Sequence, residues 1–429
     1  MKKRLAIIDG IRTPFCHANG KLKDLQADDL GAIAIKELLL RTSFPEKEID
    51  EVIVGNVCQP VHAANVARIT ALKAGLPTDL IAHTVHRNCA SGMQSITAGA
   101  NKILAGEAEV ILAGGIESMS NVPLLFGRKM TDFFMHLFKA KTPIQKLQTV
   151  LSFRMHFLKP IIGLEVGLSD PICGMNMGQT AEVLSREFHV SRDEQDEYAL
   201  MSHQRAVAAT KDGKLDEEIV PVPIPPKYKS VQEIDDGPRP QQTMEQLQKL
   251  RPYFNRKTGT VTVGNACSIT DGAAMVILTT EEKAKKLGYE PLGYLTDYTY
   301  AALDGSRMGL GPVYSTAKLL KKTGMKMSDF KLVELNEAFA AQVIANEKAF
   351  SSKEFAERHL GQASPVGELS RDILNVNGGA IALGHPVGTT GTRLVLTLLK
   401  EMRRRNEQVG LATLCIGGGQ GAALALEVA

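Results

Sequence analysis

Short apolar runs rich in β-branched residues alternate along most of this chain with longer stretches whose apolar positions recur at helical spacing. The alternation occurs twice. In the first copy "RLAIID" predicts a strand, "DDLGAIAIKELLL" an amphipathic helix, "EVIVGN" a strand and "NVARITALKAGL" a helix. "AHTVH" (strand), the segment that follows Cys89 (helix) and "EVILAGG" (strand) complete it. In the second copy "PLGYLTDYTY" predicts a strand, "STAKLLKKTG" a helix, "KLVELN" a strand and "EAFAAQVIANEKAF" a helix. "DILNVNGG" (strand), "TTGTRLVLTLLKEM" (helix) and "LATLCIGGG" (strand) follow. "GAALALEVA" adds a closing strand, and "GAAMVILTT" near residue 272 is its counterpart for the first copy. Strands of five to seven residues alternating with helices predict an α/β protein with parallel layers. Two copies of one βαβαβαββ plan predict a duplicated pair of domains, packed together with a site between them.

Residues 121 to 251 break the plan. Six of the fourteen phenylalanines (Phe126, Phe133, Phe134, Phe138, Phe153, Phe157) fall within 121–165, with seven Lys/Arg against only Asp132 and Glu165. "VPVPIPPKY" and "DDGPRP" are loop material, because proline removes a donor and fixes φ. The segment reads as an insertion, partly helical and partly irregular. The expected division is 1–122 with 252–282 for the first half, 123–251 for an inserted loop domain, and 283–429 for the second half.

Composition narrows the class. With 44% hydrophobic and 23% charged residues, the chain is expected to be an ordinary soluble globular protein. A net charge of +3 is too near neutral to argue for nucleic acid, though it suits a small anionic ligand. Six scattered cysteines with no CxxC and no His/Cys ligand spacing support neither a disulfide framework nor a metal site. A reducing compartment, the cytoplasm, is the expected location. "MKKRLAIIDG" resembles a signal peptide for seven residues, but its apolar run ends at Asp9-Gly10 and it reads as a first strand. No run of about 18 apolar residues occurs to span a membrane.

Four candidate residues sit at predicted strand ends. Behind Cys89, Met93, Ile96, Ala100 and Ile103 recur at helical spacing, so the helix is expected to start at or just after the cysteine. Backbone N–H groups and the positive helix end would then face the sulfur and lower its pKa. Ala90, Ser91 and Gly92 would leave room for a ligand. A small buried residue at a strand-to-helix turn is the commoner role of a lone cysteine. His385 lies in "NGGAIALGHPVGTTGTR", a glycine-rich loop before a helix, with Pro386 fixing the backbone beyond it. A rigid loop holding an imidazole suits a general base. The glycines match neither GxGxxG nor GxxxxGK, so a nucleotide-phosphate cradle is not indicated. Cys415 ends a strand before Gly417-Gly418-Gly419, where backbone amides could approach an oxyanion. Asn336 lies at a strand-to-helix junction, where asparagine is usually an N-cap but could instead hold a water or a carbonyl. Together, two thiols, an imidazole and an amide make a coherent acyl-transfer site.

The chain resembles the thiolases over nearly its whole length. The matching stretches are "IRTPF", "NCASGMQSI", "AGGIESMS", "TVTVGNACSITDGAA", "NEAFAAQ", "GGAIALGHPVGTTGTR" and "CIGGGQGAA", in order. The basic, phenylalanine-rich insertion and "SRDEQDEYALMSHQRA" look most like the β-subunits of fatty-acid oxidation trifunctional complexes and their bacterial relatives. The resemblance implies a five-layered α-β-α-β-α arrangement and an acetyl-CoA C-acyltransferase cleaving 3-ketoacyl-CoA. The runner-up is an acetyl-CoA acetyltransferase running the condensation. By the same resemblance Cys89 would be acylated, His385 would activate it, and Cys415 would protonate the departing enolate and deprotonate incoming CoA. Asn336 would hold the water of one oxyanion hole, and the amides of Cys89 and Gly417 would form another. Met177, Met308 and Phe339 match channel-lining positions. Cys267, with Ser268 next to it, stands where many thiolases have a CoA-contacting serine, and Asn176 where short-chain enzymes have histidine. Trifunctional β-subunits often carry histidine at the position of Asn336.

No permanently bound cofactor and no metal are expected, with coenzyme A entering as a substrate. The expected partners are acyl-CoA and CoA, a second copy of the chain (homodimer or tetramer), and no nucleic acid. The segment 121–165 is expected to be a helical cover packed on the core, or else to dock a hydratase/dehydrogenase α-subunit or an anionic membrane surface.

Overall fold

One strand sequence in each half sets the frame. In the computed structural model, which describes residues 3–428, the first half contributes β1 (Leu5–Arg12), α1 (Ala27–Thr42), β2 (Glu51–Gly55), α2 (Val66–Lys73), β3 (Ile81–Val85), α3 (Ser91–Ala105) and β4 (Ile111–Ser118). The interrupting segment carries α4 (Arg128–Lys139), α5 (Pro143–Leu151), α6 (Met177–Glu187) and α7 (Arg192–Lys211), and β5 (Thr270–Thr280) returns to the sheet. The second half has β6 (Gly293–Ala302), α8 (Gly311–Thr323), β7 (Leu332–Leu335), α9 (Ala340–Ser351), α10 (Val387–Arg405), β8 (Val409–Ile416) and β9 (Gln420–Glu427).

The strands run in the order β7-β8-β9-β6-β1-β5-β4-β2-β3. The halves join at the antiparallel pair β1–β6, where Leu5, Ala6 and Ile7 face Leu295, Tyr294 and Gly293. Three apolar cores divide the layers. Ile35, Leu38, Val66 and Ala71 pack α1 and α2 on one outer face. Between the sheet halves, Met93, Ile96 and Ile103 of α3 meet Leu394, Leu398 and Met402 of α10. Val313, Leu319, Val343 and Phe350 pack α8 and α9 on the other outer face. The order is therefore α-β-α-β-α, and burying side chains such as Ile96 and Leu398 contributes ~1.5–3 kcal/mol each.

Two expectations are corrected. The sheet is mixed: only β2–β3, β2–β4 and β7–β8 are parallel, and the other strand pairings on the path are antiparallel. A strand buried on both faces reads as an apolar run whatever its direction, so the pattern could not distinguish the two. The strand predicted at "DILNVNGG" is a single bridge, Leu374 to Val333. There Asn375 (φ 45°) leaves the extended conformation. Its side chain does the pairing instead, accepting from Leu335 N–H at 2.9 Å and donating to Leu335 C=O at 2.8 Å.

Within the interrupting segment, α6 and α7 belong to the outer core of α8 and α9 through Leu184, Tyr198 and Ala199. The α4–α5 hairpin does not pack on the core as a cover: Met130 is its one buried residue. Phe133 instead meets Phe134 and Phe153 edge-on at 5.8 and 5.4 Å. Phe138, Ile144 and Leu151 stay exposed. No helix among the described residues is long and apolar enough to cross a membrane.

Candidate active site

The turn after β3 builds a tight shelf for Cys89. Asn88 adopts the left-handed conformation (φ 42°), which asparagine tolerates. Ser91 Oγ donates to Asn88 C=O at 2.7 Å and accepts from Arg87 N–H at 2.9 Å. Asn88 Nδ2 donates to Gly417 C=O at 2.7 Å, tying the shelf to the β8–β9 turn of the other half. α3 begins at Ser91, two residues beyond the cysteine.

The expected depression of the Cys89 pKa is overturned. Burial pushes the thiol up, and the N–H groups of Gly417 and of Cys89 itself only oppose it. One donor comes from the other half rather than from the start of α3, and desolvating a thiolate costs more than two N–H groups recover. The expected room around Gly92 is also filled. A Cβ there would lie 2.7 Å from Thr392 N, and one at Gly391 would lie 2.5 Å from Met93 N. These glycines let α3 and α10 cross backbone to backbone, which brings the cysteine and histidine loops to one place.

His385 is buried, one residue before the Pro386 cap of α10. Its main-chain N–H donates to Ser268 C=O at 3.0 Å. Nδ1 lies 2.6 Å from Thr390 Oγ1, and that hydroxyl donates to Pro386 C=O at 3.1 Å. A hydroxyl has one proton, so with that proton on Pro386 C=O it is Nδ1 that carries the hydrogen on the ring. Nε2 is left as the bare lone pair, buried and without a protein partner. Burial, and next the Arg393 charge, push the imidazole down to about 3.

Cys415 and Asn336 come from neighbouring parallel strands. Asn336 N–H donates to Thr413 C=O at 3.1 Å, just past the end of β7, and Cys415 is the penultimate residue of β8. Both side-chain atoms of Asn336 are buried without a partner. It is not a helix cap, since α9 starts at Ala340 with Phe339 as the cap. The next residue, Glu337, anchors the junction: it accepts from Ser202 Oγ at 2.6 Å, Asn375 Nδ2 at 2.9 Å, Tyr198 OH at 3.1 Å and Ile381 N–H at 3.2 Å.

Cys415 is 1% exposed, and burial, then the sulfurs of Cys89 and Cys267, raise its thiol. Cys267 is pushed up to about 12 by burial and then by Cys89. Met177, Met308, Phe339 and Phe254 form an apolar wall with Cys415. A Cβ on Gly417 would be 3.2 Å from Met177 Sδ. Ser268 meets His385 through its backbone carbonyl rather than its hydroxyl. Among the described residues, no group of three or more His, Cys, Asp or Glu side chains is arranged to hold a metal ion.

Three further residues of this site do not stand out in the chain. Thr390 is one threonine among several in "GTTGTR", Asn88 is hidden beside the cysteine, and Glu117 is next to last in an ordinary strand. The asparagine directly before the cysteine, a residue type that tolerates positive φ, was the one usable clue.

The family model for the thiolase N-terminal domain matches residues 5–282, and that for the thiolase C-terminal domain matches residues 289–428. The chain is 40% identical over 427 residues to the 3-ketoacyl-CoA thiolase of Pseudoalteromonas translucida, covering 99% of this chain and 97% of that one. It is 41% identical to the mitochondrial trifunctional enzyme subunit beta of Homo sapiens, over 99% of this chain and 88% of that protein. The structure is similar to that of human mitochondrial 3-ketoacyl-CoA thiolase in complex with CoA. The TM-score is 0.85 at 37% identity, covering 100% of this chain and 98% of the other.

Proposed function

The chain belongs to the thiolase family, and from that premise we propose that it is a 3-ketoacyl-CoA thiolase of fatty-acid β-oxidation. It transfers an acyl group from 3-ketoacyl-CoA to CoA, releasing acetyl-CoA, with CoA as substrate and no resident cofactor. The observation that carries this reading is the buried Cys415 thiol, which the sulfur of Cys89 raises, together with the buried His385 Nε2 that has no protein partner.

In the resting site both Cys89 and His385 are neutral, since burial raises one and lowers the other. The thiol proton therefore moves to Nε2 as sulfur attacks the 3-keto carbon, with the new alkoxide taking the charge. The N–H groups of Cys89 and Gly417 stand ready for an oxyanion. Collapse breaks the C2–C3 bond, and Cys415 gives its proton to the acetyl-CoA enolate. Asn336 holds the water that stabilises this enolate. The Cys415 thiolate then takes the proton of incoming CoA, whose sulfur attacks the acyl-Cys89 thioester. Cys89 leaves as thiolate and recovers its proton from His385. Met177, Met308 and Phe339 line the acyl and pantetheine path, and Cys267 and Ser268 border the CoA thioester.

The three-part division (1–122 with 252–282, 123–251, 283–429) is our reading of the domains. A homodimer or dimer of dimers is supported by β3, an edge strand with Ile81 60% exposed, and the cytoplasm is our reading of its location. The hairpin α4–α5, apolar and basic at its surface, would meet a hydratase/dehydrogenase subunit or an anionic membrane. Deletion of 128–160 is expected to abolish liposome or partner binding; survival of both would make the hairpin merely structural.

Steady-state thiolysis with four- and ten-carbon ketoacyl-CoA tests the function. Faster turnover of the longer substrate supports the degradative enzyme, and activity confined to the four-carbon one supports the acetyltransferase. Iodoacetamide should label Cys89 preferentially, with protection by CoA. Equal labelling of the accessible thiols would count against a catalytic cysteine.

A further inference from the structure

We propose that Glu117 is a positioning residue for the reaction, fastening the first turn of α10, and with it the His385 ring, to the half that carries Cys89. The proposal rests on the thiolase reading and deepens it. Glu117 is the penultimate residue of β4 and is fully buried. Its Oε1 accepts from Asn56 Nδ2 at 3.0 Å and Cys58 N–H at 2.9 Å. Its Oε2 accepts from Val57 N–H at 3.2 Å and from Gly388 N–H at 2.7 Å. Three donors come from the loop after β2, and the fourth is in the first turn of α10. Four donors and no acceptor form the shell of an ionised carboxylate, here placed at the positive end of a 19-residue helix.

The joint is built for contact. A Cβ on Gly388 would lie 2.8 Å from Oε2 of Glu117, and one on Gly115 would lie 2.1 Å from Gly388 C=O. From Gly388 the path to the imidazole stays within one turn. Thr389 Oγ1 donates to Gly272 C=O on β5 at 2.8 Å, and Thr390 receives His385 Nδ1 at 2.6 Å. Loosening Gly388 therefore shifts Thr390, and the ring follows. A glutamine at 117 would turn one oxygen into an N–H donor facing N–H donors.

The titratable groups facing this carboxylate are Asp271 on β5, Cys58 on the loop after β2, and Cys89, whose thiol the Glu117 charge raises. Burial, opposed by the backbone donors, brings Glu117 to about 7. The clamp should therefore loosen as the carboxyl takes up a proton on acidification. His385, near 3, titrates well below this range, and the three site thiols are all raised.

The experiment measures kcat, KM and thermal unfolding for the wild type, Glu117→Gln, Thr390→Val and the double variant, with a wild-type pH profile. Glu117→Gln should lower kcat ~10–100-fold with KM within about twofold, because ring placement rather than substrate binding is disturbed. In the Thr390→Val background it should cost less than about threefold, since both changes act through one ring. Wild-type kcat should show an acid limb near neutrality that Glu117→Gln lacks. A glutamine variant with wild-type kcat overturns the proposal, as does a double variant carrying the product of both single losses. If the glutamine variant does not fold, the wild-type profile decides: no limb near neutrality overturns it. A wild type without thiolysis overturns the functional reading and this proposal together. An active wild type matched by its glutamine variant overturns the positioning role alone.

Discussion

Replacing Thr390 by valine removes one hydroxyl and leaves side-chain shape almost unchanged, so its effect isolates a single hydrogen bond. In the folded protein that hydroxyl receives His385 Nδ1 at 2.6 Å and donates to Pro386 C=O. The carbonyl also accepts from the N–H groups of Thr389 and Thr390 at 2.9 and 3.0 Å, so it stays satisfied in the variant. The ring N–H does not. A buried donor stripped of its partner costs ~1–3 kcal/mol. The imidazole escapes that cost by turning or by moving its proton to Nε2, and either change removes the bare lone pair that Cys89 needs. At ~1.4 kcal/mol per decade, the expected loss in kcat is about 5- to 150-fold, with KM nearly constant. Thr390→Ser keeps the hydroxyl and should stay within about threefold of wild type. Initial rates of 3-ketoacyl-CoA cleavage across a substrate series, alongside urea unfolding, make the measurement. A valine variant with wild-type kcat, or a serine variant as slow as valine, would refute the assigned tautomer.

Cys89→Ser should reduce thiolysis by several orders of magnitude, because a hydroxyl lacks thiolate nucleophilicity; the check is kcat together with loss of the acyl-enzyme in intact-mass spectra. Asn375→Ala orphans the N–H and C=O of Leu335 and one donor to Glu337. It should lower the unfolding free energy by ~2–5 kcal/mol in urea titrations. The folded-state pKa of His385, about 3, lies below the unfolded value, so the unfolded chain binds the extra proton and stability falls as pH drops from about 6.5 towards 3. Between about pH 6.5 and 5 this one site should account for ~2 kcal/mol, and His385→Gln should lose that much less over the same interval. Equal losses in both proteins would contradict a buried neutral imidazole.

Local reading found what depends on local chemistry. Each strand-to-helix alternation is written in apolar spacing, and most predicted elements lie where the spacing places them. Cys89, His385, Asn336 and Cys415 stand out because small, glycine-rich surroundings at strand ends are unusual hosts for reactive side chains. Glu117 and Thr390 escape notice because neither sits in an unusual local setting. The role of Glu117 comes from Gly388, which β4 meets only after folding, and that of Thr390 from the ring of His385 five residues before it, a contact no pattern in the chain marks. The bridge at Leu374 was missed for a related reason. Nothing along "DILNVNGG" shows that the Asn375 side chain takes over backbone pairing.

The chain alone determined the α/β alternation, its duplication, the interrupting segment and the four candidate site residues, because periodicity and side-chain chemistry are properties of neighbours in sequence. Tertiary structure decided strand direction, the crossing of α3 over α10 at Gly92 and Gly391, and the sign of the Cys89 shift. Each of these depends on which distant groups share a buried space. Burial acts on a charge through everything around it, so it outweighed the N–H groups of Gly417 and Cys89 that favour the Cys89 thiolate.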